Sequence, residues 1–168
     1  MNWNEVVRTV GPKLHRFFRL RFAAADAADL VQETLIRLVR KVESGAYDPR
    51  QGSFAAYAFG IAYYVQKEAL KARRGDNADV EALADAADSA PSPEEYAAAS
   101  AETARLRQAT LALSEIERAV VGLLLDRDLS LGEIAAILDL PCGTVKSHVH
   151  RAKDKLRQAL ARGQGALS

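Results

Sequence analysis

The sequence predicts an all-α protein of two small helical domains joined by a flexible linker, the second a helix-turn-helix domain. Three observations carry that prediction. Apolar residues recur at three- and four-residue steps and never alternate as strand residues do. Alanine is frequent, and Gly and Pro together number 15 in 168 residues, so little interrupts helical runs. The net charge of +1 is unevenly divided: residues 1–75 carry +6, residues 76–104 carry −8 without one basic side chain, and residues 105–168 carry +3. The acidic stretch also holds Ser-Ala-Pro-Ser-Pro and few large apolar residues, a spacer's composition. It reads either as a solvated linker or as a segment whose charge mimics or repels nucleic acid. The domains expected are therefore 1–75 and 105–168, with 76–104 between them.

In the first domain, Val7, Val10, Leu14, Phe17, Phe18 and Phe22 place an amphipathic helix over about residues 4–22. Gly11-Pro12 is expected to bend it or divide it. A second helix runs from Asp26, its cap, to Val42, with Leu30, Val31, Leu35, Leu38, Val39 and Val42 as the buried stripe. Gln32, Glu33, Arg37, Arg40 and Lys41 lie opposite. The loop Gly-Ala-Tyr-Asp-Pro-Arg-Gln-Gly-Ser ends in Ser53, a good cap for a third helix from Phe54 to about Arg74. Phe54, Ala58, Ile61 and Val65 share its inner face. Lys67, Lys71, Arg73 and Arg74 gather at its end, where they suit the helix dipole and would equally meet phosphates. Tyr57, Phe59, Tyr63 and Tyr64 cannot all face one core. Either they pad the helix packing, or some are exposed beside cations as a stacking platform for unpaired bases.

The last segment is more specific. Ser114-Glu115-Ile116-Glu117 and Ser130-Leu131-Gly132-Glu133 are both capping boxes. The first opens a helix burying Val120, Val121, Leu124 and Leu125; the second opens a short helix with Ile134, Ala135, Ile137 and Leu138. A tight Asp139-Leu140-Pro141 turn leads to a longer helix from about Gly143 to Leu160, with Val145, Val149, Ala152 and Leu156 at helical spacing. That order makes a helix-turn-helix whose second helix enters a major groove. Its exposed positions, Thr144, Lys146, Ser147, His148, His150, Arg151 and Lys153, are phosphate- and base-contacting types.

Other classes are excluded by what is missing. No apolar run reaches the ~18 residues of a membrane span, and the start has no basic region leading into an apolar core. The lone Cys142 makes no internal disulfide. His148 and His150 point about 200° apart on a helix and cannot share an ion, so no metal or cofactor is expected. Neither a phosphate loop nor a nucleophile elbow nor a zinc-protease histidine pair occurs, and the chain is read as a cytoplasmic protein that is not an enzyme.

Three motifs in order, Asp29-Leu30-Val31-Gln32-Glu33-Thr34, Tyr47-Asp48-Pro49-Arg50-Gln51-Gly52-Ser53-Phe54 and Gly143-Thr144-Val145-Lys146-Ser147-His148-Val149-His150-Arg151-Ala152, resemble a bacterial sigma factor. The class is the extracytoplasmic-function (ECF) group of the sigma-70-like family, which keeps only regions 2 and 4. The resemblance implies that Asp29, Leu30, Gln32, Glu33 and Arg37 dock on core RNA polymerase. It implies that Tyr57, Tyr63, Tyr64, Lys67, Lys71, Arg73 and Arg74 read and open the minus-ten element. It assigns Thr144, Lys146, Ser147, His148, His150, Arg151 and Lys153 to the minus-thirty-five element. The partners it implies are bacterial core RNA polymerase, promoter DNA and an anti-sigma factor, with the chain monomeric when free.

The chain departs from the family where Gly60 replaces a frequent arginine, Tyr63-Tyr64 an Arg-Asn pair, and His148 the arginine of Lys-Ser-Arg. The last change removes a bidentate guanine contact. Two alternatives remain: a sigma mimic that sequesters an anti-sigma factor, and an ordinary helix-turn-helix regulator. The retained Lys146, Arg151 and Lys153 argue against the mimic. The Asp-Leu-Val-Gln-Glu surface, which a regulator does not need, argues against the regulator.

Overall fold

The computed structural model of the chain describes residues 1–76 and 101–165. Among these, all regular structure is helical: α1 Trp3–Arg19, α2 Ala24–Glu43, α3 Phe54–Asp76, α4 Ala101–Thr110, α5 Glu115–Leu124, α6 Leu131–Leu138 and α7 Cys142–Gly165. The chain divides into two units, Met1–Ala90 and Pro91–Ser168. The all-α class with two helical clusters thus holds. The acidic linker reading falls on residues 77–100, outside the described residues, and on the first turn of α4. No helix is long and apolar enough to cross a membrane among the described residues.

In the first unit, Asn2 caps α1 by accepting from the amides of Asn4 at 3.1 Å and Glu5 at 3.4 Å. Pro12 sits inside α1 without dividing it. Proline leaves the Arg8 carbonyl without a helical donor, and exposure at both residues lets water take its place. The core is built on Leu14, Phe17, Phe18, Phe22, Leu38, Phe59 and Val65. Its rings meet edge to face, with centroids 5.3 Å apart for Phe17–Phe18 and 5.7 Å for Phe17–Phe59.

Two local expectations fail here. Val7 belongs to the apolar stripe yet is 50% exposed, because full burial along α1 begins only at Gly11 and Leu14. The rest of the unit covers that face of the first turns only in part. Asp26 does not cap α2 either. Ala23 holds the cap position without a side-chain bond, and Asp26 lies inside the first turn with its carboxylate bound to Arg73. Of the six stripe residues expected in α2, only Leu38 is fully buried; Ala27 and Thr34 share the interior with it. Ser53 does cap α3, accepting from the Ala56 amide at 3.1 Å.

In the second unit both capping boxes are complete. Ser114 Oγ accepts from the Glu117 amide at 3.3 Å while Glu117 Oε2 accepts from the Ser114 amide at 2.9 Å. The Ser130–Glu133 pair repeats this at 3.1 and 3.0 Å. The core gathers Leu113, Val120, Leu123, Ile134, Leu138, Val145 and Ala152. The inward face of α5 runs through Glu117, Val120 and Leu123, so Val121, Leu124 and Leu125, expected inside, are only half-buried. Helix α4, which packs on α7, was not foreseen from the sequence.

Candidate polymerase and nucleic-acid interfaces

On α2, Asp29, Gln32, Glu33 and Arg37 are three or four residues apart and follow one face. Asp29 and Gln32 are exposed, while Leu30, Glu33 and Arg37 are half-buried. Arg37 is engaged on both sides: its Nε lies 2.6 Å from Glu33 Oε1, and a terminal nitrogen lies 2.7 Å from Glu68 Oε2 on α3. The bond to Glu33 does most to raise the guanidinium above its ordinary pKa; burial opposes this, and Glu68 adds to it. Ile36, 47% exposed, lies one helical turn from Gln32 and Glu33 and makes this charged face partly apolar. Neither Ile36 nor Glu68 was singled out from the sequence. Ile36 is out of phase with Leu38, which was the available signal; Glu68 had none.

On α3, residues 57, 60, 64, 67, 71 and 74 recur at alternating three- and four-residue steps and so form one stripe: Tyr57, Gly60, Tyr64, Lys67, Lys71 and Arg74. Tyr64 is 59% exposed, and Lys67, Lys71 and Arg74 are exposed around it. Phe59 is in the core, Tyr57 and Tyr63 are half-buried, and Lys67 Nζ lies 5.5 Å from the Tyr63 ring centroid. The aromatics thus divide between padding and display. The Tyr47 ring sits 5.1 Å from Tyr57 and 5.4 Å from Phe54, anchoring the preceding loop at the start of the stripe. Asp48 stiffens that loop. It accepts from Arg50 Nε at 3.1 Å and the Arg50 amide at 3.0 Å, and these bonds, the side-chain one foremost, hold its carboxyl below the usual range. Arg73 leaves the group of outward cations: its guanidinium lies 4.5 Å from the Phe22 ring centroid and is bound to Asp26.

In the second unit, α6 ends at Asp139, whose φ of 53° is left-handed, a conformation that aspartate tolerates better than most residues. The Leu140 amide then donates to the Ala135 carbonyl at 3.0 Å, closing a Schellman-type end. Helix α7 begins three residues after Asp139, completing the helix-turn-helix. Val145 and Ala152 are buried, and the opposite side presents Lys146, Ser147, His150, Arg151 and Lys153 to solvent. Ser147 Oγ donates back to the Gly143 carbonyl at 3.1 Å, and His150 Nε2 lies 3.5 Å from Asp154 Oδ2.

Thr144 and His148, expected outside, are half-buried. His148 follows Val145 by three residues and precedes Ala152 by four, so it lies on the margin of the buried stripe. Its Nδ1 is buried and meets no hydrogen-bond partner among the described residues. Lys155, three residues past Ala152, shares that margin. Its Nζ donates to Glu117 Oε2 at 2.8 Å and Oε1 at 3.1 Å. Burial pushes the Glu117 carboxyl up, but the bonds from Lys155 and the Ser114 amide outweigh it, and its pKa lies below the ordinary carboxylate value.

The chain matches two families of domains: Sigma-70 region 2 over residues 6–75 and Sigma-70 region 4 over residues 111–158. It is 35% identical over 166 residues to the ECF RNA polymerase sigma factor SigE of Mycolicibacterium smegmatis, covering 96% of this chain and 62% of that one. It therefore spans about three-fifths of that relative's length. It is 30% identical to the ECF RNA polymerase sigma factor RpoE of Cereibacter sphaeroides, over 94% of this chain and 85% of the relative. To the RNA polymerase sigma-E factor of Streptomyces avermitilis it is 32% identical, over 95% and 86%. A solved complex of the sigma factor RpoE with the anti-sigma factor NepR from Bartonella quintana shares the fold. Its TM-score is 0.73 at 24% identity, over 94% of this chain and 95% of that one.

Proposed function

The chain belongs to the ECF sigma factors of the sigma-70 family, and from that premise we propose how its surfaces divide the work of transcription initiation. It is a specificity subunit that binds core RNA polymerase and directs it to promoters, with no catalytic group of its own. The α2 face of Asp29, Leu30, Gln32, Glu33 and Arg37, with Ile36 added, docks on core polymerase. An exposed isoleucine ringed by charge gives such a face apolar area that charged groups alone would not supply.

The stripe Tyr57, Tyr64, Lys67, Lys71 and Arg74, flanked by Tyr63, engages the minus-ten element. Melting DNA costs stacking energy, and an exposed ring beside cations repays part of it by stacking an unpaired base and neutralising its phosphate. Arg73 contributes to DNA only where a phosphate displaces Asp26. Helix α7 reads the minus-thirty-five duplex through Thr144, Lys146, Ser147, His148, His150, Arg151 and Lys153. The half-buried Thr144 and His148 act at the edge of that surface and the others at its centre. An anti-sigma factor holds the free monomer inactive, a reading supported by the solved complex of the RpoE sigma factor with the anti-sigma factor NepR.

The observation that carries this reading is the two-sidedness of α7: Val145 and Ala152 are buried, and every residue exposed between them is polar or cationic. The test of the docking face is retention of core RNA polymerase on the immobilised chain. Ile36→Asp is expected to weaken retention at least tenfold without lowering the thermal midpoint, since the side chain is half exposed. Undiminished retention would remove α2 from the polymerase interface.

A further inference from the structure

Helix α7 is held to its unit by two kinds of contact. Val145 and Ala152 are buried with Val149 and Leu156 beside them, and apolar burial is non-directional. It sets how deeply the helix sits but resists rotation about the helix axis only through steric fit. The bond between Lys155 and Glu117 is directional. The Glu117 side chain is 4% exposed and is itself clamped, since Oε2 accepts from the Ser114 amide at 2.9 Å as half of the capping box of α5. Lys155 is therefore tethered to a fixed point on another helix, 38 residues away in sequence.

We propose that Glu117 and Lys155 are positioning residues for DNA reading: their bond sets the roll of α7, and the roll decides whether Lys146, Ser147, His150 and Arg151 meet base edges or only phosphates. This rests on α7 reading the minus-thirty-five duplex. Lys155 stands nine residues from Lys146, about 13 Å along the helix, and a helix is stiff over that length. Side-chain atoms lie ~5–6 Å from the helix axis, so a 20° roll displaces them by about 2 Å. A base contact confined to ~2.7–3.2 Å does not survive such a shift, whereas a long cation follows a phosphate. Loss of the tether should therefore fall on sequence discrimination more than on affinity.

The experiment uses holoenzyme assembled from core RNA polymerase and the full chain. Wild-type holoenzyme first enriches duplexes from a randomised pool. Affinity for an enriched duplex is then compared with affinity for a scrambled duplex of equal composition. Partial unfolding scales both affinities alike and cancels in their ratio. Lys155→Met and Glu117→Gln, the latter keeping an oxygen for the Ser114 amide, are expected to lower the ratio about tenfold, the worth of one base contact. Lys155→Arg, which still reaches Glu117, is expected to restore most of it. An unchanged ratio in Lys155→Met, whatever the loss of overall affinity, overturns the proposal, as does a Lys155→Arg ratio as low as that of Lys155→Met. If the wild-type holoenzyme enriches no sequence, the assignment of α7 to duplex reading fails first, and this inference with it.

Discussion

Arg73 and Asp26 are joined at 2.7 Å, tying the last turn of α3 to the first turn of α2. Phe22, buried between the ends of α1 and α2, carries the Arg73 guanidinium over its ring at 4.5 Å. A cation expected to face DNA is thus a brace of the first unit, while Lys71 and Arg74 on either side remain exposed.

From this brace, Arg73→Ala is expected to cost about 1 kcal/mol of stability, combining a partly exposed ion pair with a cation–π contact. Lys71→Ala should cost nothing measurable in stability but should flatten the salt dependence of holoenzyme binding to single-stranded DNA by nearly one phosphate contact. Urea unfolding and a salt titration check the two. The reverse assignment, with Arg73→Ala silent in stability and strong in salt dependence, would make Arg73 a DNA contact.

Gly60 lies mid-helix on the stripe, and a Cβ built there meets nothing within 4 Å. Gly60→Ala is therefore expected to stabilise the first unit by roughly 0.5–1 kcal/mol, the ordinary difference between these residues in a helix interior. Gly60→Arg has the same open space and adds a cation between Tyr57 and Tyr64, so open-complex formation should rise. A lowered melting temperature for Gly60→Ala would show that the backbone at this position is constrained.

The Glu117 carboxyl is held below the ordinary value of 4.5, so its contribution to stability is fully present above that pH and is lost as pH falls through the lower, folded-state value. Removing Lys155 leaves a buried carboxylate unpaired. With Lys155 itself 43% exposed, Lys155→Met should cost about 1–2 kcal/mol at neutral pH, below the range for fully buried pairs. The difference between wild type and variant should shrink as pH drops below 4.5 and Glu117 protonates. Thermal unfolding of the full chain across pH 7 to 3 measures it, and a difference independent of pH would assign the loss to packing by the lysine stem.

Much of the architecture was legible because it is local. Both capping boxes and the Ser53 cap are bonds between residues three apart, and such bonds are written in the spacing itself. The turn at Asp139 and the two sides of α7 follow equally from short-range pattern. What escaped was non-local. Periodicity puts Val7 in line with Leu14, but only the packed unit reveals that half of it stays exposed. Arg73, Lys155 and one side of Arg37 find their partners on other helices, so the bonds to Asp26, Glu117 and Glu68 leave no trace in spacing. Helix α4 offered only Leu106 and alanines as apolar residues, too faint a stripe to separate it from the acidic run before it.

The most direct test of the whole account is run-off transcription from a library of genomic fragments, using core RNA polymerase with and without the chain. The account predicts new transcripts only when the chain is present, with start sites preceded by one shared pair of elements at constant spacing. Identical transcripts with and without the chain, from a polymerase that demonstrably binds it, would contradict promoter recognition by these two units.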